Sequence, residues 1–182
     1  MKVLSVVGAR PQFVKAFPLS RALRERHEEV LVHTGQHYDE ELSDVFFEEL
    51  AIPEPEYHLG VGSGSHAEQT AAMMTGVADL VAGESPDVVL VYGDTNSTLA
   101  GALVAAKADT TLAHVEAGLR SHNWAMPEEV NRVVTDHCSD LLFAPTRRAE
   151  ENLCAEGIDD GVHRTGDVMY DAILAAKERA LS

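Results

Sequence analysis

The sequence predicts an α/β protein built on a doubly wound, mostly parallel sheet, and two observations support that prediction. Short apolar runs alternate with helical patterns along the whole chain. The runs are apolar at nearly every position, as in strands that are buried on both faces of a sheet. Strands of that kind, separated by helices, form a parallel sheet with right-handed crossovers.

The apolar runs predict the strands of this sheet. In chain order they are Lys2 to Val7, Glu29 to His33, Val88 to Tyr92, Thr111 to Val115, Leu141 to Ala144 and Val162 to Thr165. Each has the length of a strand and is separated from the next by a helical pattern. We therefore expect all of them in the same sheet.

The segments between these runs predict helices. In chain order they are Phe13 to Arg26, Glu40 to Leu50, Ser65 to about Gly83, Asn96 to Lys107, Pro127 to Cys138, Thr146 to Glu156 and a last segment from about Met169. In the first, apolar residues lie on one side and charged residues on the other. Pro53 ends the second and Gly157 ends the sixth. Ser65 and Glu68 form a capping box at the start of the third.

Length and charge restrict the classes of protein to which the chain can belong. At 182 residues it is long enough for one sizeable core, and one domain is expected. The 14 basic and 30 acidic side chains give a net charge of −16, which opposes binding to nucleic acid or to an anionic membrane. No apolar run reaches the roughly 18 residues of a membrane-spanning helix. The first residues suggest a strand rather than a signal peptide, so a cytoplasmic location is expected.

No spacing typical of a metal site or a dinucleotide site is present. Cys138 and Cys154 are isolated, which predicts two reduced thiols that line the core. His33 and His37 are four residues apart, but the residues between them break any helix that would place both on one face. The glycines lack the spacing of a dinucleotide-binding turn. We expect neither a metal nor a nicotinamide cofactor.

Three acidic residues stand where an apolar strand, or the loop after it, ends. They are Asp94, Glu116 and Glu128. In an open α/β sheet, ligands bind at the carboxyl ends of the strands. Carboxylates gathered at that edge predict acid and base catalysis. Asp94 also lies in a run of good helix caps, and it would face the cleft only if a neighbour caps the helix.

The other two carboxylates have structural alternatives as well. Glu116 and Arg120 are four residues apart, so a structural ion pair between them competes with catalysis. Glu128, Arg132 and Asp136 are spaced four apart on one predicted helix, and an ion-pair ladder is the alternative there.

Two cations near the end of the first strand predict contact with an anion. Arg10 lies in the turn after the strand, and Lys15 lies one turn into the helix that follows. A helix N-terminus favours anions, and both side chains add positive charge there, which is typical of a phosphate or carboxylate contact. A tight turn with two solvated cations is the alternative. Residues 60–64 form a glycine-rich loop, which is either a plain connection or a cradle of N–H groups.

These segments together resemble the non-hydrolysing UDP-N-acetylglucosamine 2-epimerase family. The matching stretches are Gly8-Ala9-Arg10-Pro11 with Lys15, Thr34-Gly35-Gln36-His37, Gly93-Asp94-Thr95, His114 to Arg120, Pro127 to Arg132 and Thr165 to Val168. The run His-Val-Glu-Ala-Gly-Leu-Arg, followed by Pro-Glu-Glu-x-Asn-Arg, is highly specific. The similarity covers the whole chain in order.

The resemblance implies a two-domain, glycosyltransferase-B-like architecture with the nucleotide sugar between two Rossmann-like halves. Residues 1–182 would form the N-terminal half. A C-terminal half, in the same chain or in a partner chain, would supply most of the UDP-binding groups and a further histidine. The resemblance also implies a homodimer.

The chemistry implied by the resemblance is inversion at C2 of UDP-N-acetylglucosamine, which gives UDP-N-acetylmannosamine. UDP is eliminated to leave a 2-acetamidoglucal and is then added back, with the proton delivered to the other face. The route needs a base, an acid on the opposite face and groups that stabilise the departing UDP. It requires no metal and no cofactor.

The resemblance also assigns residues to these roles. Asp94, Glu116 and Glu128 match the acidic catalytic positions of the family, and we do not divide acid from base among them. The residues that match substrate contacts are Arg10, Lys15, Arg120, Asn131 and Arg132. Gln36 and His37 lie where some members bind a second, activating substrate molecule.

Other functions stay open. Relatives that act on UDP-2,3-diacetamido-2,3-dideoxyglucuronic acid share much of this pattern. The non-catalytic alternative is a half-protein that binds a nucleotide sugar or only pairs with a chain that supplies the second half. Half of a sugar-nucleotide glycosyltransferase would explain the fold, but it would not explain three aligned carboxylates.

Overall fold

The computed structural model describes residues 1–35 and 53–180, and a seven-stranded sheet organises them. The strands are β1 (Lys2–Val7), β2 (Glu28–His33), β3 (Tyr57–His58), β4 (Val88–Tyr92), β5 (Thr111–Val115), β6 (Leu141–Ala144) and β7 (Val162–Arg164). The helices are α1 (Arg10–Arg24), α2 (His66–Glu84), α3 (Asn96–Lys107), α4 (Pro127–Cys138), α5 (Arg147–Ala155) and α6 (Val168–Ala180).

The strand order is β3-β2-β1-β4-β5-β6-β7, and every pairing is parallel. This confirms the doubly wound sheet. The chain starts in the middle, builds outward through β2 and β3, and returns to place β4 on the other side of β1. The order therefore reverses between β1 and β4, and such a reversal opens a crevice at the carboxyl ends of the two strands.

Helices cover both faces of the sheet because the strands are apolar on both. On one face, Val77 and Val81 of α2 pack with Ala102 of α3 against the central strands. On the other face, Phe13 and Phe17 of α1 pack against β1, β2 and β4. None of the helices in the described part of the chain has the length and apolar character that crossing a bilayer requires.

Most predicted elements are confirmed, several of them to the residue. Helix α1 begins at Arg10 and not at Phe13, because Pro11 is well suited to the first turn of a helix, where its missing N–H costs nothing. Strand β3 was not predicted, because two residues that pair only with β2 are too short to give a periodic signal. The capping box at Ser65 is confirmed. The helix expected over Glu40 to Leu50 lies outside the described residues.

The two cysteines differ in their surroundings. Both are free thiols, as expected. Cys138 is half-buried against the core, whereas Cys154 is exposed on α5. The prediction that Cys154 lines the core was wrong, because on this helix Leu153 and not its neighbour points toward the sheet.

Position 118, in the turn that follows β5, requires a glycine because of its backbone conformation. Its φ is +79°, and a Cβ there would lie 2.3 Å from the carbonyl oxygen of Ala149. We expect Gly118→Ala to lower the free energy of unfolding by about 2 kcal/mol or more, from backbone strain and overpacking together. Gly83→Ala is the matched control, since nothing lies within 4 Å of its Cβ position and alanine is the better helix former by about 1 kcal/mol. Urea denaturation of both variants measures the difference, and an unchanged midpoint for Gly118→Ala would contradict the prediction.

Candidate functional site

A cavity of about 450 Å³ opens at the strand-order reversal, beside the carboxyl ends of β1 and β4. Its walls come from the turns after these two strands and from the first residues of α2 and α4. The polar residues on its walls include Arg10, His66, Asp94, Asn96, Glu128 and Asn131. The sequence predicted Arg10, Asp94, Glu128 and Asn131 as site residues, and it did not predict His66 or Asn96.

Asp94 faces this cavity because its neighbour caps the helix. Thr95 is the N-cap of α3, and its hydroxyl oxygen accepts from the N–H of Thr98. The Asp94 carboxylate is paired with the guanidinium of Arg132, which reaches across from α4. Arg132 also donates to Glu129 at 3.0 Å. Arg132 therefore orients Asp94 while leaving one side of the carboxylate on the cavity wall.

Glu116 follows β5 directly and has an unusual backbone. Its φ is +72°, a left-handed backbone conformation that residues other than glycine rarely adopt. Its carboxylate is paired with Lys15 of α1, and both side chains are 14% exposed. The structural ion pair between Glu116 and Arg120, which was the alternative suggested by the sequence, therefore does not form.

Glu116 and Lys15 do not line the cavity, but both lie next to Gly93, the residue before Asp94. A Cβ on Gly93 would lie 3.4 Å from both the Glu116 Oε2 and the Lys15 Nζ. The φ of Gly93 is +64°. These are ordinary contacts, so it is the left-handed backbone that favours glycine at this turn. Asp94 and Glu116 stand at the ends of adjacent strands.

Glu128 is the exposed carboxylate of the three and lies in the first turn of α4. Among the described residues it makes no ion pair. The ion-pair ladder along α4 does not form, because Arg132 turns to Asp94 and Glu129, and Asp136 turns into the protein. Glu128 thus remains available to a ligand in the cavity.

The neighbouring Glu129 has a different task, which the sequence did not reveal. It is buried, and its carboxylate accepts from the N–H groups of Ser121 at 2.9 Å and His122 at 2.8 Å. Burial alone would raise the pKa of Glu129, but these hydrogen bonds and the charge of Arg132 lower it below its ordinary value. Glu129 therefore anchors the loop between β5 and α4.

A buried network supports the strand ends that carry Asp94 and Glu116. His114 is fully buried on β5, with Nδ1 at 2.7 Å from Asp136 and Nε2 at 2.7 Å from the Gly93 carbonyl oxygen. Asp136 also accepts from the N–H of Gly118 at 3.0 Å. Burial alone would raise the pKa of Asp136, but the hydrogen bond and charge of His114 and the charge of Arg120 lower it. A lone histidine in an otherwise apolar strand was the sequence signal for this network.

Arg120, predicted as a substrate contact, belongs to this network. Its side chain is 1% exposed, and it donates to Asp136 at 2.7 Å. It also donates twice to Glu156, at 2.7 Å each. With these partners the guanidinium does not reach the cavity, so its place is structural in this arrangement.

Gln12 connects the two strand ends on either side of the crevice. Its side-chain oxygen accepts from the N–H groups of Gly8 at 2.8 Å and Ala9 at 3.1 Å. Its amide nitrogen donates to the Tyr92 carbonyl at 2.7 Å and to Thr98 at 3.0 Å. The turn that carries Arg10 is thereby fixed relative to the turn that carries Asp94.

Two further predictions concern a second substrate site and metal ions, and neither involves this cavity. Gln36 and His37 lie outside the described residues. Within residues 1–35 and 53–180, no group of three or more histidine, cysteine or acidic side chains is placed to hold a metal ion.

Comparison with known proteins places this site in a family context. The family model for UDP-N-acetylglucosamine 2-epimerase matches residues 21–182. A UDP-N-acetylglucosamine 2-epimerase homolog of Methanococcus maripaludis is 55% identical over 97% of this chain and 49% of its own length. The UDP-2,3-diacetamido-2,3-dideoxy-D-glucuronate 2-epimerase of Pseudomonas aeruginosa is 50% identical over 100% of this chain and 53% of its own length.

A solved structure agrees in fold over the full chain. The UDP-GlcNAc 2-epimerase of Methanocaldococcus jannaschii, crystallised with UDP-GlcNAc and UDP, superposes with a TM-score of 0.96 at 47% identity. The alignment covers 100% of this chain and 51% of that protein. The chain thus spans about half the length of the curated relatives it matches. With the family model matched over most of its residues and relatives this similar, the chain belongs to the UDP-N-acetylglucosamine 2-epimerase family.

Proposed function

We propose that this chain is the N-terminal half of an enzyme that interconverts UDP-N-acetylglucosamine and UDP-N-acetylmannosamine. The observation that supports the proposal most is the presence of Asp94 and Glu128 on the cavity at the strand-order reversal, with Glu116 at the end of the adjacent strand and cations beside them. The family membership supports the reaction, and the Methanocaldococcus jannaschii relative was crystallised with UDP-GlcNAc and UDP.

The arrangement suits elimination followed by re-addition. Asp94 and Glu116 stand at the ends of adjacent strands, and Glu128 lies on α4. A proton removed from C2 on one face and returned to the other requires acid and base groups on opposite faces of the sugar, and we assign this role to carboxylates that lie on different elements. Arg10 and Lys15, near the N-terminus of α1, are proposed to stabilise the charge that develops on departing UDP. Asn131 and Arg132 position Asp94 and complete the sugar contacts.

A second half is part of the proposal. Because the chain spans about half of its curated relatives, we assign the remaining UDP contacts to a C-terminal half, in the same chain or supplied by a partner chain. We also propose a homodimer, which light scattering of the assembled protein tests. A monomer at working concentration would contradict the homodimer without affecting the proposed reaction.

Proton NMR in deuterated water tests the reaction. UDP-GlcNAc is incubated with the chain alone and then with the chain joined to its second half. We expect UDP-ManNAc with deuterium at C2 only in the second case, because the second half supplies most of the UDP contacts. If neither sample shows conversion or exchange at C2, the proposed reaction is wrong.

A second candidate is epimerisation of UDP-2,3-diacetamido-2,3-dideoxyglucuronic acid. It is favoured by the 50% identity to the Pseudomonas aeruginosa enzyme named for that sugar. Both substrates carry the acetamido group on the reacting carbon, so the same three carboxylates would serve. Parallel NMR assays with the two nucleotide sugars, compared by kcat/KM, decide between them.

A further inference from the structure

His66, the first residue of α2, lines the cavity together with Asp94 and Glu128. It is not one of the residues assigned to the proposed reaction. The hydrogen bonds around it determine which of its two ring nitrogens carries the proton. Two nearby side-chain amides, whose orientation is fixed by backbone carbonyls, control these hydrogen bonds.

Backbone carbonyls fix the orientation of the Asn131 and Gln69 side-chain amides. The Asn131 Nδ2 lies 2.9 Å from the carbonyl oxygen of Asp94, and the Gln69 Nε2 lies 2.7 Å from the carbonyl oxygen of Gly62. A backbone carbonyl only accepts hydrogen bonds, so each amide must turn its NH₂ group toward it. The Gln69 Oε1 is therefore an acceptor for its other neighbour.

Asn96 lies between these two side chains, and they determine its orientation. Its Oδ1 accepts from Asn131 at 3.3 Å, and its Nδ2 donates to the Gln69 Oε1 at 3.1 Å. Both contacts give the same orientation. The second N–H of Asn96 then meets the His66 Nδ1 at 3.0 Å. The Asn96 Oδ1 lies farther from that ring nitrogen, at 3.3 Å, so the shorter contact is the one with the amide nitrogen.

The contact with Asn96 determines the tautomer of His66. Because Nδ1 accepts from Asn96, it carries no proton, and a neutral imidazole then carries its proton on Nε2. Within the described part of the chain, no residue accepts from this Nε2–H. The amide chain thus presents a further hydrogen-bond donor at a cavity wall that also carries the carboxylates of Asp94 and Glu128.

We propose that His66 is a substrate-binding residue whose Nε2–H donates to the acetamido oxygen of the nucleotide sugar. This inference rests on the proposed function, which requires C2 of the sugar to lie among the carboxylates. The acetamido group is attached to C2, so its carbonyl oxygen is an acceptor that must enter the same cavity. His66 therefore selects sugars that carry a 2-acetamido group over sugars with a hydroxyl there.

Binding measurements on the assembled protein test this assignment. In place of histidine, asparagine puts its amide near the Nδ1 position and loses the Nε2 donor, whereas glutamine puts an N–H near the Nε2 position. We expect His66→Asn to weaken binding of UDP-GlcNAc by about 5- to 10-fold, the loss typical of one hydrogen bond, and binding of UDP-glucose by less than about 2-fold. His66→Gln should weaken UDP-GlcNAc binding less than His66→Asn does. His27→Asn, at the amino-terminal end of β2 and away from the cavity at the carboxyl ends of the strands, is the matched control and should change neither.

Equal losses for both nucleotide sugars, or no loss for either, would overturn the assignment to the acetamido group. Nitrogen-15 NMR of the His66 ring gives an independent readout, with a protonated Nε2 and an unprotonated Nδ1 expected for the neutral ring. An Nδ1–H tautomer, which has no donor at Nε2, would overturn the proposal. Neither readout needs turnover, so a protein that binds UDP-GlcNAc without epimerising it contradicts only the proposed reaction.

Discussion

Replacing Glu116 with glutamine is expected to lower turnover of UDP-GlcNAc in the assembled enzyme by about 10²- to 10⁴-fold, the usual contribution of one acid or base group. Glutamine has nearly the same shape and still accepts a hydrogen bond from Lys15, the partner of Glu116 in the structure. It does not take up a proton. Binding of UDP, measured by calorimetry, should therefore stay within about threefold of the parent.

Glu151→Gln provides the control for this substitution. Glu151 is exposed on α5 and, within residues 1–35 and 53–180, forms its one ion pair with Arg147, so its replacement should change neither turnover nor UDP binding. Turnover near the parental value in Glu116→Gln would contradict a role in proton transfer. Loss of the folded state, seen by circular dichroism, would instead assign Glu116 a structural role through its pair with Lys15.

Replacing Asp136 with asparagine is expected to lower the free energy of unfolding by about 3 kcal/mol or more, because it breaks a buried ion-pair network. The Asp136 carboxylate accepts hydrogen bonds from His114, Gly118 and Arg120. An asparagine of the same shape must turn its own NH₂ group toward at least one of them. Urea denaturation measures the loss, and Asp171→Asn on α6, an exposed residue, should change stability by less than about 0.5 kcal/mol.

The pH dependence of this loss provides a second test. The pKa of Asp136 in the folded protein lies below its ordinary value of 3.8. The unfolded chain therefore binds the proton more readily, so the stabilisation is complete above the ordinary pKa and is lost as the pH falls through the folded value. The stability difference between the parent and Asp136→Asn should be constant from pH 7 to pH 5 and should shrink below about pH 4. A difference that stays constant below pH 4 would contradict an ionised Asp136 in the folded protein.

Much of the fold could be predicted because the signals are local. Strands β4, β5 and β6 and helices α3 and α4 match their predicted bounds, since each is a continuous apolar run or an amphipathic segment with its own cap. Strand β3 could not be predicted, since two residues form a strand only because β2 offers a free edge. The positions of Asp94, Glu116 and Glu128 followed from the rule that strand ends gather ligand-binding groups.

The ionic partners could not be predicted, because sequence spacing suggests only near neighbours. Spacing by four residues suggested Arg120 for Glu116, yet the partner is Lys15, which is 101 positions away. Arg120 instead pairs with Glu156, 36 residues farther along the chain. Charged groups pair with whatever the packed sheet brings within reach, and that depends on strand order and not on separation along the chain.

The sequence by itself determined the alternation of strands and helices, the acidic character and the motifs that carry the family resemblance, because apolar periodicity, caps and charge are properties of short segments. Only the tertiary structure decided that Thr95 and not Asp94 caps α3, that Arg120 is buried in a network with His114 and Asp136, and that His66 reaches the cavity. The physical reason is that the choice among competing hydrogen-bond partners is made after the strand order brings distant residues together. The amide chain that sets the tautomer of His66 joins residues from α2, α3 and α4, which meet only in the folded protein.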